Sequence, residues 1–94
     1  MGEAFIIQRK SSGKNMLMGS VTNANLSGDI ITVGDLEFEP RIVLIYAQQT
    51  PTKSFSGFFV KNKGAKKVAV SGNSFITSGT GLTNIQSGIY HIFR

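Results

Sequence analysis

A chain of 94 residues, 40% hydrophobic and 16% charged, makes one small domain; by surface scaling it buries about 64% of the area that its unfolded form exposes, so self-association is a ready way to gain core. The absence of cysteine excludes disulfide scaffolds, thiolate metal sites and cysteine nucleophiles. The net charge of +5 is uneven, with three bases against five acids in residues 1–40 and seven bases with no acid in residues 41–94; a basic half raises a polyanion partner against the simpler alternative of a solvated charged edge.

The opening Met1-Gly2-Glu3-Ala4-Phe5-Ile6-Ile7-Gln8-Arg9 holds only a short apolar run before charge returns. That is too little for a signal peptide or a membrane span, so synthesis in the cytoplasm without membrane insertion is expected. From there the chain is a series of short β-branched and aromatic runs, at 4–9, 15–22, 30–33, 36–38, 42–48, 57–61, 68–70, 74–77, 82–85 and 89–93. Gly, Asn and Ser separate them, and eleven glycines supply turn positions. No stretch has helical periodicity. Regular short strands of this kind predict an all-β domain spanning residues 1–94, a single antiparallel β-sandwich with jelly-roll-like or Greek-key connections, or alternatively a small partly open β-barrel.

In Asp35-Leu36-Glu37-Phe38-Glu39 the apolar pair shares one face and the three carboxylates the other, which predicts a half-buried strand. By contrast Ile42-Val43-Leu44-Ile45-Tyr46-Ala47 is continuously apolar, which predicts a central strand covered on both faces. Pro40 and Pro51 are expected to stop the ladder at the corners beside it.

Catalytic chemistry is hard to assemble from these residues. His91, the one histidine, shares its strand face with Ile89 and Phe93 and reads as a packed or edge histidine, and no Gly-x-Ser-x-Gly elbow is present to pair with it. Asp35, Glu37 and Glu39 lie along an extended segment, whereas hard-cation sites draw oxygens from loops that curl around the ion. Ser12-Gly13-Lys14-Asn15 and Gly79-Thr80-Gly81-Leu82-Thr83-Asn84 fail the spacing of phosphate loops and read as turns. No catalytic, cofactor or metal residue is therefore expected. The segment from Lys53 to Lys63 mixes Phe55, Phe58 and Phe59 with cations, as binders of single-stranded nucleic acid do. However, Phe58 and Phe59 are adjacent and must face opposite sides of a strand. Lys61, Lys63, Lys66 and Lys67 read as a charged hairpin tip around Gly64 and are the candidate polyanion-binding residues.

Two stretches carry a resemblance. Met1-Gly2-Glu3-Ala4-Phe5-Ile6-Ile7-Gln8-Arg9-Lys10 is similar to the start of small minor structural proteins of phages and prophages of Gram-positive bacteria. Ile31-Thr32-Val33-Gly34-Asp35-Leu36-Glu37-Phe38-Glu39-Pro40-Arg41-Ile42-Val43-Leu44-Ile45-Tyr46 resembles a pattern of tail-fibre and baseplate modules, in which a Phe-x-Pro corner leads into a hydrophobic strand. The end, Gly88-Ile89-Tyr90-His91-Ile92-Phe93, looks like the closing strand of such modules. The resemblance implies a non-catalytic tail-associated protein located in the virion, acting by assembly with copies of itself or with other tail proteins, or by adhesion to the host surface. Adhesion to a glycan would be expected at Asn73-Ser74 or Thr83-Asn84. The alternative function is a small basic β-barrel that binds single-stranded nucleic acid.

Overall fold

The computed structural model describes residues 15–94, so the strand expected at 4–9 lies outside the described residues. Nine strands follow in chain order: β1 (Met16–Ser20), β2 (Leu26–Ser27), β3 (Ile30–Val33), β4 (Ile42–Thr50), β5 (Lys53–Val60), β6 (Gly64–Lys66), β7 (Val68–Ser71), β8 (Ser74–Thr77) and β9 (Ser87–Phe93). A single 3₁₀ turn, Asn23–Asn25, precedes β2. Five strands form one sheet in the order β1-β9-β4-β5-β6, and four form a second in the order β2-β3-β8-β7. The ladders between named strands are antiparallel, and the sheets pack face to face as the expected β-sandwich. Within the larger sheet β4, β5 and β6 are successive neighbours and β9 returns beside β4 after the chain has visited the other sheet. That spatial order is the Greek-key one. The two sheets stay separate, so the barrel alternative is not formed.

Alternation decides which side chains fill the space between the sheets. In β4, Val43, Ile45 and Ala47 point inward and are at most 3% exposed. In register beside them stand Ile92, Tyr90 and Gly88 on β9, and Phe59, Gly57 and Phe55 on β5. The second sheet answers with Ile31 and Val33 from β3, Val68 from β7 and Phe75 from β8. Full burial of an aliphatic or aromatic side chain contributes about 1.5–3 kcal/mol. The sheets meet through Tyr90 and Phe75, whose rings stand edge to face with centroids 5.5 Å apart.

Glycine makes room for this packing. A Cβ at Gly19 would fall against the Tyr90 ring, so the absence of a side chain on β1 is what lets that ring lie across it. At Gly88 a Cβ would sit 2.8 Å from the Val21 carbonyl oxygen, where the Val21 amide donates to the Gly88 carbonyl at 3.0 Å.

Of the four passages between the sheets among the described residues, the two longest help to close the sandwich. Residues 34–41 carry Leu36, Phe38 and Pro40 into the core and leave Asp35, Glu37 and Glu39 exposed. The alternation is as expected, but this segment joins no ladder and is an irregular connection, with Asp35 at φ 55°, rather than a strand. It is anchored by the Leu36 amide donating to Asn73 O at 2.9 Å and by the Asn73 side-chain amide donating to Leu36 O at 3.1 Å. Residues 78–86 likewise bury Leu82 and Ile85 without forming the strand expected at 82–85. Here the Thr80 hydroxyl donates to Asp29 O at 2.7 Å and accepts from the Leu82 amide at 3.2 Å, while Asn23 Oδ1 accepts from the Ile85 amide at 2.7 Å.

Two substitutions test this account. Gly88→Ala forces a Cβ onto backbone atoms that cannot swing away, so it lowers stability by about 1–3 kcal/mol in urea denaturation. Thr77 is fully buried and, among the described residues, its Oγ1 has no hydrogen-bond partner. Thr77→Val removes an unsatisfied hydroxyl at constant shape and raises stability by about 1 kcal/mol in the same assay.

Candidate functional site

The outer face of the five-stranded sheet is the most unusual surface of the domain. Register places Met16, Phe93, Ile42 and Val60 in one row across β1, β9, β4 and β5, and Met18, His91, Leu44 and Phe58 in the next. A third row holds Ser20, Ile89, Tyr46 and Ser56. Met18 is 57% exposed, Leu44 44%, Met16 and Tyr46 43% and Ile89 37%. This corrects the expectation that β4 is covered on both faces: it is central in its sheet, yet the side chains that alternate outward meet no second layer. Asp, Glu, Lys and Arg are absent from these three rows, and His91 is the one histidine among them; on the edge strand β6, Lys66 alternates outward beside Phe58.

The charges lie at the margins of this sheet, with Lys53 opening β5 and Lys66 closing the edge strand β6. Arg41 precedes β4, and Lys61 and Arg94 follow β5 and β9, all exposed. Backbone bonds hold these ends together: Arg41 N donates to Phe93 O and Lys61 N to Arg41 O, each at 2.8 Å. The Arg94 guanidinium lies 4.6 Å over the Phe38 ring, which ties the first crossing to the end of β9.

The four candidate lysines divide into two roles. Lys61 and Lys63 occupy the turn between β5 and β6, and Lys66 ends β6, all exposed. The left-handed residue of that turn is Asn62, with φ 64°, rather than the expected Gly64, which instead pairs with Val60 in the ladder. Asn takes this conformation at lower cost than most side chains. Lys67 is a corner residue with φ 62°, where the chain passes from one sheet to the other. Its Nζ donates to Gly79 O at 2.8 Å and its carbonyl accepts from the Ser78 amide at 3.1 Å. Lys67 thus holds the second crossing in place. Of the neighbouring aromatics, Phe59 packs against the core while Phe58 lies on the outer face, as adjacency requires.

His91 sits where alternation puts it, on the outer face with Ile89 and Phe93, directly between Met18 and Leu44. Among the described residues no three His, Asp or Glu side chains gather as a metal cluster. Three of the four polar loop residues considered for glycans, Asn73, Ser74 and Thr83, make internal bonds. The Asn73 amide holds Leu36 O, the Ser74 hydroxyl donates to Ser71 O at 2.9 Å, and Thr83 bonds through both its amide and its hydroxyl to the Gln49 side chain.

Comparison with family models, curated proteins and solved structures returned no significant match. No helix of the described residues is long and apolar enough to cross a membrane.

The apolar outer face was missed as a site, although its signal is in the chain. Met16-Leu17-Met18, Ile42–Ala47 and Ile89–Phe93 are apolar on both alternating sets. Two-sided apolarity of this kind identifies a strand whose outer face is suited to a second covering layer. The division among the lysines gives a test. Lys67→Ala lowers the urea midpoint because it loses the bond to Gly79 O, whereas Lys63→Ala leaves the midpoint unchanged within error.

Proposed function

We propose that this chain is a non-catalytic structural module of a phage or prophage tail, located in the virion and acting by assembly. The observation that carries the reading is the three largely apolar outer rows across β1, β9, β4 and β5. Exposed apolar surface on this scale marks interaction sites, and its content of Met, Phe and Tyr with no Lys, Glu or Asp matches the composition of interface centres. The resemblance of residues 31–46 and 88–93 to tail-fibre and baseplate modules supplies the setting.

Assembly is favoured over glycan adhesion because Asn73, Ser74 and Thr83 already hold the loops together. It is favoured over nucleic-acid binding because stacking on single strands needs aromatics and cations on one surface. Here Phe59 is turned to the core, and Lys67 is engaged by Gly79. The test is co-fractionation. Tail particles purified from a phage or induced prophage encoding the chain are expected to contain it in fixed stoichiometry by quantitative mass spectrometry. Recovery only in the particle-free fraction overturns the reading. Nucleic-acid affinity that falls steeply with added salt would replace it with the alternative.

A further inference from the structure

We infer that the outer face of the five-stranded sheet is covered by the same face of a second copy, giving an isologous dimer in which two sandwiches stack sheet against sheet. The inference rests on the assembly reading and names the partner of that surface.

Area comes first. Met16, Met18, Leu44, Tyr46 and Ile89 alone expose on the order of 450 Å², already within the range of the largest patch on a typical monomer. The half-buried Phe58 and Phe93 extend it toward the roughly 800 Å² per partner that a stable interface covers. Charge comes second. Across β1, β9, β4 and β5 a second copy brings three rows with no Asp, Glu, Lys or Arg, so docking there buries none of those charges without a partner, which is the costliest defect an interface can carry. Arg41, Lys61 and Arg94 lie past one end of the strands and Lys53 starts β5 at the other. Lys66 ends the edge strand β6, beside Phe58 and exposed, so the bases of both copies stay at the rim.

Shape is the third consideration. Two flat, twisted sheet faces pack about 10 Å apart with their strands about 30° off alignment. A two-fold axis in the interface plane lets the Met18–His91–Leu44–Phe58 row of each copy meet the other. The opposite side of the sandwich does not invite the same contact. Its outward positions are Ile30 in one row, Thr32, Ile76 and Ala69 in the next and Ser74 with Ser71 beyond, so its two exposed isoleucines stand among small or polar residues. Finally, a domain that buries only about 64% of its unfolded surface gains a further hydrophobic layer this way.

The test is absolute mass by light scattering on a sizing column, with the full chain. The wild type is expected at twice 10.1 kDa. Leu44→Lys, which places a charge at the centre of the face, is expected at the monomer mass with an unchanged far-UV circular dichroism spectrum. Its dimer dissociation constant is expected to rise roughly a hundredfold or more. Ser56→Lys, on the same face at an exposed polar position, provides the same reading should Leu44→Lys fail to fold. Thr32→Lys, on the outer face of the other sheet, is expected to remain dimeric. A wild type that stays monomeric at high micromolar concentration overturns the inference. So does a folded Leu44→Lys or Ser56→Lys protein that remains dimeric, because the contact then lies elsewhere. A monomeric wild type that still co-fractionates with tails would overturn the self-pairing alone and leave the assembly reading standing.

Discussion

The ladder between β4 and β9 joins residues 42–48 to residues 87–93, and most of the sandwich is organised around it. Its inward side chains, Val43, Ile45, Ala47, Tyr90 and Ile92, supply much of the larger sheet's contribution to the core. The partners of these two strands, β1 on one side and β5 on the other, complete the central four strands. The crossings at 34–41 and 78–86 run from β3 and β8 of the second sheet into the ladder's two strands, so the ladder and the second sheet are joined at both ends. Pairing that spans nearly half the chain is slow to form, since loop closure must precede the contacts that reward it.

Close approach between neighbours follows from the same ladder. Tyr90 reaches Phe75 of the opposite sheet because Gly19 beside it carries no side chain. Gly88 lets the Val21 backbone come within hydrogen-bond distance. The crossings then act as plugs, with Leu36, Phe38, Leu82 and Ile85 entering the space between the sheets from irregular segments. Thr80, Asn23 and Asn73 supply the polar bonds that hold those segments where they lie. Such loops keep their backbone groups satisfied without belonging to a sheet.

Function, on the reading proposed above, comes from what the sandwich leaves uncovered. The inner faces of the two sheets satisfy each other; the outer face of the smaller sheet exposes Ile30 and Ile76 among small and polar residues, whereas that of the larger one exposes Met16, Met18, Leu44, Tyr46 and Ile89 together. A stable 94-residue domain has no need of Met16, Met18, Leu44 and Tyr46 in exposed positions. Their cost in solubility is explained when another layer covers them. The lysines at the strand ends then serve as a charged rim that keeps the unassembled domain in solution.

Much of this was legible in the sequence. The bounds of β3 and β8 follow from alternation between glycine turns, and the alternation of Leu36 and Phe38 against Asp35, Glu37 and Glu39 gave their burial correctly. Alternation reports which side of an extended segment meets the core, however, and not whether its backbone pairs with a neighbour. For that reason 36–38 and 82–85 were read as strands, and the short β2 and β6, which lack a hydrophobic pattern of their own, were overlooked. By itself the sequence determined an all-β chain, two alternating sets of side chains on each strand, and a β4 apolar on both. Tertiary structure alone decided which of those sets is buried, because burial depends on a second layer. The domain supplies that layer to one face of β4 and not to the other.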